Sequence, residues 1–289
     1  MQKNKGYAFL IATFVLISSA VMLWQAVFYY EARFGKLFMY ALDVGQGDAM
    51  FIETPDGNQI LIDGGPDKTV VTRLGEIMLP WDRSIDVVIL THPHADHISG
   101  LLEVLKRYQV GRVIESGAPH SIPEYSEWRK IIEDKKIPVT IALRGQALVA
   151  GGFQMKVLYP ARDTDRSSSD PHGAMVILRA EYGSTTALFM GDAEKKIEYK
   201  LVSFGNDLSV DLLKIGHHGS KTSTSEFFLS RVRPRFGLIS VGRKNRYGHP
   251  YKEVLDRLQT NGIKIFRTDI SGTRIFVSDG TVLIPGNSK

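Results

Sequence analysis

The 289-residue chain contains no cysteine. Disulfides are therefore excluded, and any metal site must be built from nitrogen and oxygen ligands. The absence also suits an oxidising compartment. Low-complexity segments and internal repeats are absent too, and no clear linker interrupts the chain after residue 36. Neither sign of charge dominates: 36 Lys and Arg against 31 Asp and Glu leave a net charge of +5. A mild basic excess suits an anionic substrate or an anionic membrane surface, and equally serves solubility. Hydrophobic residues make up 43% of the chain and charged residues 23%, which rules out a disordered chain. Such a chain can bury the core of one large domain or two small ones.

The first thirty residues lack something more local. From Tyr7 to Tyr30 the sequence YAFLIATFVLISSAVMLWQAVFYY carries no charge. It exceeds the roughly 20 apolar residues needed to cross a bilayer. Aromatics at both ends (Tyr7, Phe28, Tyr29, Tyr30) match an interfacial belt. Lys3 and Lys5 precede the stretch, and Arg33 and Lys36 follow it, partly offset by Glu31. With the amino terminus counted, the balance favours a cytoplasmic N-terminus and a domain outside. A cleaved signal peptide is the alternative, but the stretch is longer than the usual ~7–15-residue apolar region. A buried core helix would have to be apolar all round and unusually long. The expected organisation is a membrane anchor over residues 1–36, with its helix at about 7–30, and one domain over 37–289.

Beyond residue 36 the pattern turns to strands. LFMYALDV (37–44) and AMFIET (49–54) are rich in apolar and aromatic residues, and PDGN (55–58) is a turn leading into QILID (59–63). An irregular stretch follows, and then the apolar strand DVVILT (86–91). Helical spacing resumes in ISGLLEVLKRYQV, and strands and helices alternate to the end. Residues 161–173 read as a polar loop. Antiparallel strands first and alternating elements later predict a layered α/β domain with helices outside sheets.

The strand 86–91 runs straight into THPHADH at 91–97. Pro93 keeps residue 92 out of helix. Neutral imidazoles and a carboxylate are the ligands preferred by Zn²⁺, and by Mn²⁺ or Fe²⁺ in harder settings. In a tight turn His92 and His94 can share one ion while Asp96 and His97 face another. A two-metal site needs more ligands. Asp192 ends the strand TTALFMGD and can bridge. His217, after VDLLKIG, can complete the second ion, and His172 in the polar loop the first. Each falls at or near a strand end, where loops converge. His120 follows Ala-Pro and reads as surface or cleft rim.

Several strings extend the pattern: LDVGQGDA (42–49), LIDGG (61–65), HADHISGL (95–102), GDAE (191–194), LLKIGHHGSKTSTS (212–225) and ISVGRKNRYGHP (239–250). Together they resemble the metallo-β-lactamase superfamily, and within it the hydrolase domain of the ComEC competence proteins. The resemblance covers residues from about 37 to the end. It implies a four-layer αββα sandwich, here preceded by one transmembrane helix, with the site at one edge of both sheets. It also implies that Asp63 braces the histidine turn, that Asp48 lies near the site, and that His217 is a ligand with His218 beside it contacting substrate. His249 would serve as acid, phosphate contact or ligand. At the position of His172, ComEC-like sequences often carry asparagine; DPHG here restores a histidine.

Ser220, Lys221 and Thr222 would bind an anion at a helix start, with helix capping by Ser223 and Thr224 as the alternative. Arg243, Lys244, Asn245 and Arg246 form a basic run suited to a phosphate-binding rim. The expected chemistry is hydrolysis assisted by two ions, Zn or Mn with Fe also suited, which acidify water and stabilise charge on a phosphoryl or carbonyl oxygen. Asp96 is expected as both ligand and catalytic residue, and His249 or Lys221 would neutralise or protonate the leaving oxygen. The resemblance points to a membrane-tethered, single-pass phosphodiesterase acting on DNA, with its hydrolase domain outside the cytoplasm and a link to DNA uptake. The alternatives are a small-molecule hydrolase of lactones, β-lactams or phosphoesters, and a tethered binding module without activity. The ComEC architecture has a multi-helix channel domain, whereas one transmembrane segment is read here, so a free-standing membrane-tethered nuclease is expected rather than a DNA translocator.

Overall fold

The computed structural model describes residues 2–161 and 173–286. Near-continuous apolar strands are what sheets covered on both faces require, and the chain builds two of them. Strands β1 (Leu37–Ala41), β2 (Met50–Glu53), β3 (Gln59–Ile62), β4 (Ser84–Leu90), β5 (Gln109–Glu115) and β6 (Val139–Ile141) lie in sequence order in the first sheet. Strands β14 (Arg274–Ser278) and β15 (Leu283–Gly286) return to extend it beside β1. The second sheet holds β7 (Ala147–Ala150), β8 (Phe153–Tyr159), β9 (Ile177–Tyr182), β10 (Thr185–Phe189), β11 (Leu212–Lys214), β12 (Phe236–Ile239) and β13 (Lys264–Arg267). Each sheet is antiparallel in one half and parallel in the other. The parallel halves are β3 to β6 and β10 to β13.

The period-2 alternation of side chains separates two cores. Met39, Ala41, Met50, Ile52, Ile60 and Ile62 point between the sheets, where they meet Phe153, Val176, Leu178 and Phe189 of the other sheet. Tyr40, Phe51 and Leu61 point outward, under helices α2 (Thr69–Ile77), α3 (Ala95–Arg107) and α4 (Pro123–Asp134). Over the second sheet, α5 (Lys195–Ser203), α6 (Glu226–Val232) and α7 (Lys252–Thr260) supply Ile197, Phe228 and Val254 to a third core. A single turn, α8, spans Thr268–Ser271. The layering is the expected αββα sandwich.

Helix α2 falls in the stretch that reads as irregular. Val70, Val71, Thr72 and Gly75 give it poor intrinsic propensity. It forms because Val70 and Leu74, one turn apart, are fully buried against the first sheet.

An N-terminal helix, α1, spans Gln2–Arg33. Within Gly6–Arg33 an 18-residue window reaches a mean hydropathy of 2.1 and is not buried by the described residues, so the helix is long and apolar enough to cross a membrane. Its last turn is docked on the sandwich. Arg33 Nε donates to Glu53 Oε1 at 2.7 Å, and the Tyr29 hydroxyl donates to Glu53 Oε2 at 3.1 Å. The guanidinium packs over the Phe38 ring at 4.2 Å.

Two glycines contrast the seating of α3, which holds Gly100, with the exposed face of α2, which holds Gly75. A Cβ at Gly100 would lie 1.9 Å from the Gly64 carbonyl oxygen, whereas one at Gly75 would meet nothing within 4 Å. Gly100→Ala is expected to destabilise the sandwich by at least about 1–3 kcal/mol. Gly75→Ala, on the exposed face of a helix, should stabilise it by about 0.5–1 kcal/mol. Denaturant unfolding of the two variants checks both signs.

Candidate metal centre

The parallel strands of both sheets end at one edge of the sandwich, and loops at carboxyl ends of strands are where α/β sheets place their ligands. Asp63 follows β3, Thr91 and His92 follow β4, Asp192 follows β10, and His217 and His218 follow β11. Asp48 precedes antiparallel β2, which runs the other way and so brings its start to the same edge.

Asp63 organises the histidine turn. It holds a left-handed backbone (φ 58°), which costs a non-glycine residue of order 1 kcal/mol and is tolerated best by Asp and Asn. Its Oδ1 accepts the Thr91 N–H at 2.8 Å. Its Oδ2 accepts the Thr91 hydroxyl at 2.6 Å and faces His97 Nδ1 at 2.8 Å. With Nδ1 donating to Asp63, Nε2 is the atom that faces Asp192, and it presents a lone pair once its proton is lost.

The second sheet supplies the complement. Gly216–Gly219 form a 3-10 turn in which His217 and His218 are both left-handed (φ 48° and 52°). The His217 N–H bonds the Gly191 carbonyl at 3.0 Å, and the Ser223 hydroxyl bonds that of Gly216 at 2.7 Å, which holds the turn. His218 Nδ1 donates to the Ser240 carbonyl at 2.9 Å and lies 3.3 Å from Asp48 Oδ1, so its Nε2 also faces inward.

Among the described residues three groups of ligand-type atoms assemble: His92, His94 and Asp192; Asp96, His97, Asp192 and His218; and, behind the His97 ring, Asp48, Asp63 and His97. Asp192 belongs to the first two. Its Oδ2 lies 3.8 Å from His92 Nε2 and 3.4 Å from His97 Nε2, and its Oδ1 lies 3.5 Å from His218 Nε2. His218 Nε2 is also 3.4 Å from Asp96 Oδ2. His217 Nε2 reaches Asp192 Oδ2 at 3.8 Å but falls outside the four-residue group, its Nδ1 turned to Glu194 at 3.5 Å. The expected ligand and its neighbour are thus both at the site, with the neighbour the closer fit to the group. His172 lies outside the described residues.

The donor set fits divalent ions. Buried His97 Nε2, His218 Nε2 and Asp192 Oδ1 have no hydrogen-bond partner among the described residues, although buried polar atoms nearly always have one. Electrostatics agree. Burial pushes the His218 imidazolium down, but the Asp192, Asp48 and Asp96 carboxylates outweigh it and lift the ring to about 10. The Asp96 carboxyl is penalised by burial, yet His97 and His218 hold it down at about 2. A buried cluster that draws cationic charge this strongly is a cation site by its chemistry.

Other expected site residues take different places. His249 is half-buried, its ring centroid 5.6 Å from His217 and 6.4 Å from His218. Burial, and then the cationic neighbours His217 and His218, push it down to about 4. A ring neutral at pH 7 keeps one N–H and one lone pair, so in the metal-free protein it can orient an oxygen by donating or accepting a hydrogen bond. Asn245 closes its loop: the carboxamide accepts the His249 N–H at 2.9 Å and donates to the His249 carbonyl at 2.7 Å and that of Gly242 at 3.0 Å. Arg243 and Arg246 are exposed, bonded to the Asp269 carbonyl and the Tyr247 hydroxyl.

Ser220, Lys221 and Thr222 are not at a helix start. The next helix, α6, is capped by Ser225, whose hydroxyl accepts the Phe228 N–H, and the buried Glu198 carboxylate accepts the N–H groups of Thr224 and Ser225. Ser223 and Thr224 therefore do not cap it either. The Ser220 hydroxyl is committed to Thr222, while Lys221 is exposed with its ammonium 5.6 Å from the centre of the Tyr251 ring.

Three residues were not singled out as site residues by sequence. Lys214 is buried and pairs with Asp48 at 2.6 Å, tying the two sheets together behind His218. A lysine inside the apolar run VDLLKIG was its only signal. The His120 ring stands 5.9 Å from that of His94. Tyr247 stacks on His249 at 5.8 Å and 23°.

Asp63→Asn removes the acceptor that orients His97 and is expected to weaken divalent-ion affinity by about 10- to 100-fold, measured by competition with a chelating dye. The raised His218 adds a pH dependence. The metal-free ring is protonated at pH 7, so metal uptake must release that proton. Apparent affinity should therefore rise with pH from 6 towards 10, and proton release in weak buffer checks the sign.

Residues 42–162 match the family model described as the metallo-beta-lactamase superfamily. ComE operon protein 3 of Bacillus subtilis is 32% identical over 249 residues, covering 80% of this chain and 32% of its own length. Competence protein ComA of Neisseria gonorrhoeae is 30% identical over 236 residues, covering 81% and 31%. Recombination protein 2 of Haemophilus influenzae is 31% identical, covering 80% and 27%. The chain thus spans about a third of the length of these relatives. Among solved structures, the metallo-beta-lactamase fold protein YhfI from Bacillus subtilis superposes with a TM-score of 0.57 at 13% identity, covering 84% of this chain and 100% of that one. CmlA, a diiron beta-hydroxylase from Streptomyces venezuelae, gives 0.55 at 16%, covering 83% and 53%. Family model, relatives and fold agree: the chain carries a metallo-β-lactamase superfamily domain whose homologues include proteins named for competence and recombination.

Proposed function

We propose that this chain is a membrane-tethered hydrolase that uses two divalent ions to cleave phosphodiesters, with DNA as the substrate class. The observation that carries the two-ion reading is the sharing of Asp192 between the first two ligand groups. In this reading His92 and His94 hold one ion, with His172 completing it. Asp96, His97 and His218 hold the other, with His217 at its border. Divalent ions so held acidify water and neutralise charge developing on a phosphoryl oxygen; Zn²⁺ and Mn²⁺ suit the nitrogen and oxygen donors, and Fe²⁺ does too. Asp192, common to both groups, would contribute to holding both ions. Asp63, through Thr91 and His97, keeps the histidine turn from relaxing, and Lys214 holds Asp48 against the back of His218.

The rim supports a nucleic-acid substrate. Lys221, Arg243, Lys244 and Arg246 are exposed beside the site loops. Tyr247 is half-exposed with the Arg246 guanidinium 5.2 Å from its ring. Cations for phosphates beside an aromatic face for bases are the elements of single-strand binding. The relatives' names add a link to DNA uptake. Helix α1 would tether the domain, and the flanking Lys and Arg residues favour placing it outside the cytoplasm. Lys221 would neutralise the leaving oxygen, and His249 would orient it.

Asp192→Ala is expected to lower kcat/KM on a single-stranded oligonucleotide by about 1000-fold or more, about 4 kcal/mol of transition-state stabilisation. The paired substitution Arg243→Ala/Arg246→Ala should leave bound metal unchanged and raise KM. It should also reduce the slope of log affinity against log salt by about 1.4, one phosphate contact per cation on a single strand. Cleavage of a lactone or β-lactam with none of any phosphodiester would transfer the reading to small-molecule hydrolysis.

A further inference from the structure

The anchor and the metal loops occupy opposite ends of the sandwich. The metal residues follow the C-terminal ends of β3 and β4, at Asp63 and His92, and precede β2, at Asp48. Helix α1 docks at the other end of the same three strands. Arg33 and Tyr29 bond Glu53, the last residue of β2, and the Gly35 N–H bonds the Pro55 carbonyl in the turn from β2 to β3. The β14–β15 turn and the β9–β10 turn share this end: Gly280 accepts the Ser184 N–H at 2.7 Å, and the Tyr182 hydroxyl donates to the Gly35 carbonyl at 2.7 Å. The end remote from the metal loops is therefore a base of tight turns gathered round the foot of α1. The seven residues of β4 separate base from metal loops by about 20 Å.

The base also carries aromatic side chains that the sandwich does not bury. Phe34 is 77% exposed and Trp81 45%. Phe34 stands one turn beyond Tyr30, and its N–H bonds the Tyr30 carbonyl at 2.7 Å. Tyr30 and Trp81 line a single surface hollow together with Asp56, Gly57 and Asn58 of the base. Aromatics placed where an apolar helix ends are the side chains that favour the headgroup level of a bilayer. Acidic Asp56, Asp82 and Asp279 interleave here with Lys36 and Arg83, so no cationic face selects anionic lipid.

We propose that the sandwich stands upright on a phospholipid surface, seated by a collar of Tyr30, Phe34 and Trp81, with the metal edge turned away from the membrane. The occupant of the collar is the lipid interface, because the collar is continuous with the apolar stretch of α1, which none of the described residues covers. The inference rests on α1 crossing the bilayer and not on what the site hydrolyses. Substrate would reach the metal edge from bulk solvent about 20 Å above the lipid, not along the membrane plane.

The test uses the full chain in phosphatidylcholine vesicles. The chain has three tryptophans: Trp24 inside the span, Trp81 in the collar, and Trp128 fully buried in the core. In Trp24→Phe, lipid brominated near the top of its acyl chains should quench the Trp81 share of the emission. Trp24→Phe/Trp81→Phe should lose none. Equal emission in brominated and plain lipid from both variants would overturn the collar, as would a chain that fails to float with the vesicles. The lack of native cysteine makes Val282→Cys at the base and Ile270→Cys near the metal edge unique labelling sites, both on exposed side chains. Energy transfer to a headgroup dye should be strong from position 282 and several-fold weaker from position 270. Equal or reversed transfer would overturn the upright orientation.

Discussion

A carboxylate shared between two sets of imidazoles is the constraint on which the site depends. Asp192 leaves the second sheet at the end of β10, whereas His92, His94, Asp96 and His97 leave the first sheet at the end of β4. Neither sheet holds a complete set of donors, so the centre exists only while the two sheets keep their spacing and register. The inner core of Met39, Ile52, Ile62, Phe189 and Leu238 fixes that spacing. The buried Asp48–Lys214 pair ties the sheets directly beneath His218. Removing either member would leave an uncompensated buried charge, which is why such a pair sets geometry even where it adds little net stability.

The backbone is shaped for the same purpose. Asp63, His217 and His218 all sit in left-handed conformations that side chains other than glycine seldom adopt. Each is held by bonds from a neighbouring loop: Asp63 by Ile89 and Thr91, His217 by Gly191, His218 by Ser240. The left-handed turns bring the His217 and His218 rings to Asp192 and set the Asp63 carboxylate behind His97, the arrangement expected where local backbone cost is accepted for function.

Much of this was legible in sequence because its signals are local. THPHADH, LIDGG and GHHGS carry ligand-type residues at fixed spacing, and apolar runs ending in glycine or aspartate mark the strands whose ends converge. What sequence could not settle depends on three-dimensional packing. Choosing between His217 and His218 requires the 3-10 turn, which sends adjacent side chains to different neighbours. Lys214 looked like any residue of an apolar strand until Asp48 was placed against it. The helix at 69–77 has weak propensity and forms through burial of Val70 and Leu74. Ser220 to Thr222 resemble a helix start, but Glu198, distant in sequence, ties the chain into a turn and delays the helix to Glu226.

The most direct test of the account is the metal stoichiometry of the full chain after saturation and removal of free ions, measured by mass spectrometry of the metals. Two divalent ions per chain, with both affinities falling together in Asp192→Asn, is the result the shared carboxylate predicts. A single ion per chain, or two ions whose affinities are indifferent to Asp192, would contradict it.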